Sequence, residues 1–162
     1  MRRFTPVELA IGAALVGSLL AIAVPSFVRE MHASRFVEST EGLARLGASA
    51  VAYADSGGTG RFPDSAPLTP AAPPRGKKDV DPPGTWDGPT WKALEFRPSP
   101  EGVPHAYSFS FESTGGGTGF TAQARGDLDG DGVLSTFEVR GHARPGEKAA
   151  LAPGMFVESE LE

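Results

Sequence analysis

The chain has no cysteine, and among 162 residues only two tryptophans, two tyrosines and three histidines. Without thiols no disulfide can form, so a small domain built from this sequence needs another staple. His32, His105 and His142 are far apart and lack metal-ligand spacing, which argues against zinc. No Gly-x-Ser-x-Gly elbow occurs and no histidine sits in a recognisable catalytic motif, so an enzyme is not expected. A basic stripe is also missing: the net charge is −5, with arginine and lysine scattered among the acids, and no nucleic-acid partner is expected.

What the chain does have is one long apolar run, Phe4 to Phe27, of about membrane-spanning length. It is interrupted by Glu8 and carries Pro25 near its far end. An ionised group deep in hydrocarbon costs on the order of 2.5 to 3.5 kcal/mol, so Glu8 calls for a partner. Met1-Arg2-Arg3 is cationic and precedes the run, which holds the amino terminus in the cytoplasm and sends the remainder outward. Two simpler readings compete: a cleaved signal peptide using the small residues of Ala21-Ile22-Ala23, and a single-span anchor. Glu8 speaks against the signal peptide, because an early charge opposes insertion.

Beyond Pro25 the helical pattern continues, with Phe36, Leu43, Leu46, Ala50 and Tyr53 at three-, four- and seven-residue steps. The pattern predicts one helix from about Val7 to Ala54, roughly 70 Å long at 1.5 Å per residue. It ends at the run Ser56-Gly57-Gly58-Thr59-Gly60. Pro25, Gly12 and Gly17 are places where it can bend or open. Residues 55–90 then form a proline- and glycine-rich loop, unable to hold a long helix or a central strand, which reads as an extended, solvated linker from helix to sheet.

Strand patterns fill residues 91–162. Trp91 to Phe96 is a short mixed run; Ala106 to Phe111 and Phe120 to Arg125 alternate with period two; Val133 to Arg140 supplies a fourth strand. Short connections favour an antiparallel meander, and the helix stripe is the one long apolar surface able to cover it. The expected fold is therefore α+β: a long amino-terminal helix packed through its amphipathic half on a four-stranded antiparallel sheet. Trp86, Trp91, Phe96 and Tyr107 are read as core in preference to a carbohydrate or peptide platform.

Asp127-Leu128-Asp129-Gly130-Asp131-Gly132-Val133-Leu134-Ser135-Thr136-Phe137-Glu138 matches the calcium-loop pattern, with aspartates at positions one, three and five, glycine at six and glutamate at twelve. Crowded carboxylates repel, and a hard cation removes that repulsion. The flanks alternate like strands, so an EF-hand is not expected. Ser135 and Glu138 would then be about 10 Å apart and would not reach one ion together. The expected calcium ligands are Asp127, Asp129, Asp131 and the Val133 carbonyl, with Ser135 and Glu138 as further candidates; the alternative is a bare Asp-Gly turn.

Phe4, Thr5, Glu8, Leu9, Gly17, Ala21-Ile22-Ala23, Pro25 and Phe27 together resemble the amino-terminal signature of type IV pilins and type II secretion pseudopilins. The resemblance covers roughly the first sixth of the chain closely. It implies a short basic leader at residues 1–3, removed by a prepilin peptidase before a methylated Phe4. A transmembrane and assembly helix would follow at residues 4–28, then an amphipathic half at residues 29–54, with the pilin fold for the head. Glu8 would pair with an amino terminus in the filament core, and helix would be lost around Gly17 and Pro25 on assembly. Two positions depart from the signature: Arg3, where the family prefers glycine, and Pro6. Tolerance of Arg3, a misassigned start and a retained leader all remain open.

On this resemblance the chain is expected to be a structural subunit, a minor pilin or pseudopilin of a type IV pilus or secretion pseudopilus. Its partners would be other pilin subunits, the inner-membrane assembly machinery and membrane lipid. It would reside in the inner membrane with its head in the periplasm before joining the filament at the cell surface. Calcium would replace the missing disulfide, as it does in some pseudopilins. The alternative function is a secreted or membrane-anchored calcium-binding domain that does not polymerise.

Overall fold

A computed structural model describes residues 5–56, 60–144 and 146–159, with the backbone alone at residues 9 and 26–35. The fold is α+β: α1 (Pro6–Ser56), β1 (Ala66–Thr69), α2 (Pro89–Ala93), β2 (Tyr107–Thr114), β3 (Gly119–Gly126), β4 (Ser135–His142), β5 (Ala150–Leu151) and β6 (Phe156–Glu158). Two compact units divide the chain, Met1–Phe36 and Val37–Glu162.

The first unit is helical. Pro6 opens α1, where its missing N–H costs nothing and its fixed φ suits the first turn. Pro25 lies inside the helix, which is assigned without interruption. The stretch Pro6–Pro25 has a mean hydropathy of 2.3 and none of it is buried. It is long and apolar enough to cross a membrane, a property that signal sequences share.

In the second unit, Ser39, Leu43, Leu46, Ala50 and Ala54 are buried at three- and four-residue spacing, so one stripe of α1 faces the sheet. Tyr53, expected in that stripe, is half-buried beside it. Gly42 and Gly47 set the closeness of approach: a Cβ on Gly42 would lie 2.5 Å from Phe109 Cζ, and one on Gly47 would lie 2.9 Å from Leu151 Cδ2. The inner sheet face presents Tyr107, Phe109, Phe111, Phe120, Ala122, Ala124 and Phe137, all but removed from solvent. The small alanines of β3 leave room for the aromatic rings around them, and Phe111 of β2 stacks on Phe120 of β3 with centroids 5.0 Å apart.

Among the described residues the sheet has six strands where the sequence pattern predicts four. Its order is β1-β2-β3-β4-β5, with β6 also on β4, and every pairing is antiparallel. The three long strands fall where the alternation places them. The expected strand at Trp91–Phe96 is instead α2 and its cap. Pro89 starts that helix, and Trp91 and Leu94 are buried one turn apart. The C-cap is a Schellman motif: Glu95 sits at φ 49, Glu95 N–H donates to the Lys92 carbonyl and Phe96 N–H to that of Trp91. The proline-rich segment yields β1, an edge strand, as proline requires. β5 and β6 follow one edge of β4 on either side of Ala152–Met155, whose Ala152 N–H still reaches the Arg140 carbonyl at 2.8 Å.

Trp86, Trp91, Phe96 and Phe109 form an aromatic cluster, with Trp86 and Trp91 5.2 Å apart and Phe96 and Phe109 5.2 Å apart. Both indoles also have a polar partner: Trp86 Nε1 donates to Asp81 Oδ2 at 2.6 Å and Trp91 Nε1 to Thr69 Oγ1 at 3.1 Å. Buried and saturated, these rings are core, and the platform reading has no surface to act through.

Candidate functional site

Two places carry charge that the core does not need. One is the start of α1. Thr5 Oγ1 accepts the Glu8 N–H at 3.3 Å, while Glu8 Oε2 accepts the Thr5 N–H at 2.8 Å and its hydroxyl at 3.0 Å. Threonine at N-cap and glutamate at N3 bonded reciprocally are a capping box, which satisfies two donors that an α-helix start leaves open. Glu8 thus has hydrogen-bond partners within its own first turn. The Thr-x-x-Glu spacing is the local signal for it. Gly17 has no atom within 4 Å of the position its Cβ would take, and with Gly12 it leaves a shallow, open stretch of helix surface. Arg3 and Phe4 lie outside the described residues.

The other place is the loop 127–134 between β3 and β4. These strands pair in full register from Gly119↔His142 to Gly126↔Ser135, so the loop is closed at its base by a regular ladder. Three aspartates then tie down the backbone: Gly130 N–H donates to Asp127 Oδ1 at 2.9 Å, Asp131 N–H to Asp129 Oδ1 at 3.1 Å and Val133 N–H to Asp131 Oδ1 at 2.7 Å. Gly130 (φ 86) and Gly132 (φ 95) occupy the left-handed region that brings the side chains together. Carboxylate oxygens of Asp127, Asp129 and Asp131 lie within 4.8 Å of one another.

Asp127 differs from the other two. Its side chain is 1% exposed and, among the described residues, nothing donates a hydrogen bond to its Oδ2. The nearest cation is Arg75 Nε at 3.7 Å, on a side chain that is 76% exposed. A buried carboxylate oxygen without a donor is costly, and an oxygen-only cluster fits a hard cation such as calcium or magnesium better than zinc or copper. The residues therefore fit a metal, without selecting calcium by themselves.

Of the wider expected ligands, Ser135 and Glu138 have other partners. Ser135 is buried and its hydroxyl donates to the Gly126 carbonyl at 3.2 Å. Glu138 stands on the outer sheet face, held by Gln123 Nε2 at 2.8 Å and Arg140 Nε at 2.6 Å. Strand geometry separates it from the triad, as its place within β4 requires. Val133 contributes its N–H to Asp131, and its side chain is exposed.

Long-range contacts that no local pattern announces hold the site in place. Arg75 and Asp127 form a parallel bridge, and Gly76 N–H donates to the Asp127 carbonyl at 2.8 Å. A Cβ on Gly76 would stand 3.3 Å from the Asp129 carbonyl oxygen. Asp79 bridges His105 from the same segment. His105 is buried, with Nδ1 2.9 Å from the Tyr107 carbonyl oxygen and Nε2 2.6 Å from Asp81 Oδ2, so both ring nitrogens are engaged in fixing the insert. Glu38 on α1 accepts from Ala106 N–H at 2.6 Å and Tyr107 N–H at 3.2 Å and pairs with Lys78 at 2.9 Å. Asp55 accepts the Ala149 N–H at 2.9 Å.

Compared with protein-family models, curated proteins and solved structures, the chain matches none of them.

Proposed function

We propose that the chain is a membrane-held structural subunit that polymerises through the first half of α1, in the manner of a type IV pilin or type II secretion pseudopilin, and as a minor subunit. The observation that carries this reading is the exposed apolar helix Pro6–Pro25, none of which is buried. Lipid covers such a surface before assembly, and helices of sister subunits cover it afterwards. The pilin-like signature, with Gly17 and Pro25 on that helix, supports the second cover. Calcium at Asp127, Asp129 and Asp131 would fasten the β3–β4 connection in a domain that has no disulfide. The head would stand in the periplasm, with the basic leader on the cytoplasmic side.

The capping box specifically favours a second reading, a membrane-anchored cation-binding domain that does not polymerise, because Glu8 already has an in-chain role. Glutamine can replace glutamate in a capping box but brings no charge. If Glu8 neutralises a neighbouring amino terminus, Glu8→Gln and Glu8→Ala are both inserted in the membrane and both absent from sheared filaments. Incorporation of Glu8→Gln at the wild-type level would reduce Glu8 to a cap and remove its assembly role. Sequencing the mature chain adds a second check: a methylated Phe4 supports the filament, and a chain starting at Val24 would end it.

A further inference from the structure

The acidic loop and the proline-rich insert are stitched together by main-chain contacts, and their side chains carry opposite charge. The insert presents Arg75, Lys77 and Lys78, each more than half exposed. Lys77 and Lys78 have close partners, Asp79 at 3.2 Å and Glu38 at 2.9 Å. Arg75 does not. Its Nε is 3.7 Å from Asp127 Oδ2, beyond hydrogen-bond reach, and that oxygen is buried with no donor. The contact is therefore Coulombic: an exposed guanidinium stands off a carboxylate oxygen to which no described residue donates a hydrogen bond.

We propose that Arg75 is the internal counter-ion of the acidic loop, held against Asp127 until a divalent cation takes that oxygen and then displaced into solvent. This rests on the reading of Asp127, Asp129 and Asp131 as a cation site. A divalent ion gathers all three carboxylates at coordination distance, which one guanidinium held at 3.7 Å from a single oxygen cannot do. Like charges then repel, so the ion and the guanidinium do not share Oδ2. Gly76 keeps the backbone of the insert on the loop through its N–H to the Asp127 carbonyl, so only the side chain moves. Binding thus converts Arg75 from a paired to an unpaired cation on the exposed insert, where it becomes available to an acidic partner.

Arg75 competes with the ion, so removing it strengthens binding. An attraction at this distance in a water-like surrounding is worth about fivefold in affinity. The full-length chain in a nonionic detergent, titrated calorimetrically with calcium chloride, is expected to bind about fivefold more tightly as Arg75→Gln than as wild type in about 0.05 M KCl. Screening shrinks the difference toward unity in about 0.5 M KCl. In the wild type the Arg75 Nε–H NMR signal shifts as calcium saturates the site. Arg75 is largely exposed, so the substitution does not threaten the fold. Equal or weaker binding by Arg75→Gln, with the Arg75 signal unmoved, overturns the counter-ion and leaves the cation site standing. Binding by neither protein at millimolar calcium overturns both.

Discussion

The two halves of α1 solve opposite problems with the same backbone. Along Pro6–Pro25 the apolar residues run around the whole helix and none is buried. Along Val37–Ser56 burial keeps to one stripe, in which Leu43, Leu46 and Ala50 are fully buried while Val37 on another face is exposed. A helix apolar on all sides needs a cover supplied from outside the chain, whereas a striped helix finds its cover in its own sheet. Polar anchors follow the same division. Among the described residues Glu8 bonds within its own turn, while Glu38 and Asp55 reach the backbone at Ala106, Tyr107 and Ala149. The first half thus leaves its apolar surface uncovered, and the second half belongs to the core of the head.

That division breaks most visibly by truncation. Leu46→Ala removes a fully buried side chain from the helix–sheet seam and is expected to cost about 3 kcal/mol of head stability. Leu19→Ala, at a position 68% exposed, is expected to change it by less than about 0.5 kcal/mol. Urea unfolding of the detergent-solubilised chain, followed by the near-ultraviolet signal of Trp86 and Trp91, measures both. Similar losses would mean that the first half also packs on the head.

Next in size is the cation. At free calcium about a hundredfold above its dissociation constant, binding adds about 2.7 kcal/mol, and chelation is expected to lower the melting temperature by several degrees. Asp127→Asn should abolish the difference between chelated and calcium-loaded melts. A melt that ignores calcium would leave the loop as an Asp-Gly turn. Glu38→Gln is expected to cost about 2 kcal/mol, because a charge-assisted acceptor for two main-chain donors is weakened and Lys78 loses its partner. Hydrogen exchange at Ala106 and Tyr107 reports that loss directly.

The parts legible in the sequence are those with a local period. The helix expected from Val7 to Ala54 spans Pro6–Ser56, and the alternations around Phe109, Ala122 and Phe137 are β2, β3 and β4. Elements too short to show a period were not legible. α2 has five residues, so one turn of Trp91 and Leu94 reads like part of a strand, and β5 and β6 have two and three residues. The acidic triad was visible because its ligands are neighbours in sequence. Arg75 and Gly76 were not, since loop closure over a long insert leaves no local trace. Thr5 and Glu8 carry a local signal too, because Thr-x-x-Glu is the spacing of a capping box.

The smallest expected effect lies in the insert, where charges are exposed and screening is strong. The Asp79 carboxyl titrates below the ordinary aspartate range, first because Lys77 bonds to it and then because the Val80 N–H does. A depressed value in the folded state means that the unfolded chain takes up the proton first as pH falls. The contribution to stability is therefore complete above the unfolded aspartate value of about 3.9 and fades as pH drops through the folded one. Lys77→Met should move the Asp79 carboxyl resonance back toward that ordinary value and remove this part of the acid dependence. At neutral pH it should leave the main melt unchanged, because Asp79 is exposed and its other tie, the backbone bridge to His105, survives. A Lys77→Met chain that lost stability at neutral pH would place the insert among the elements that hold the head together, on the side of Leu46 and not of Leu19.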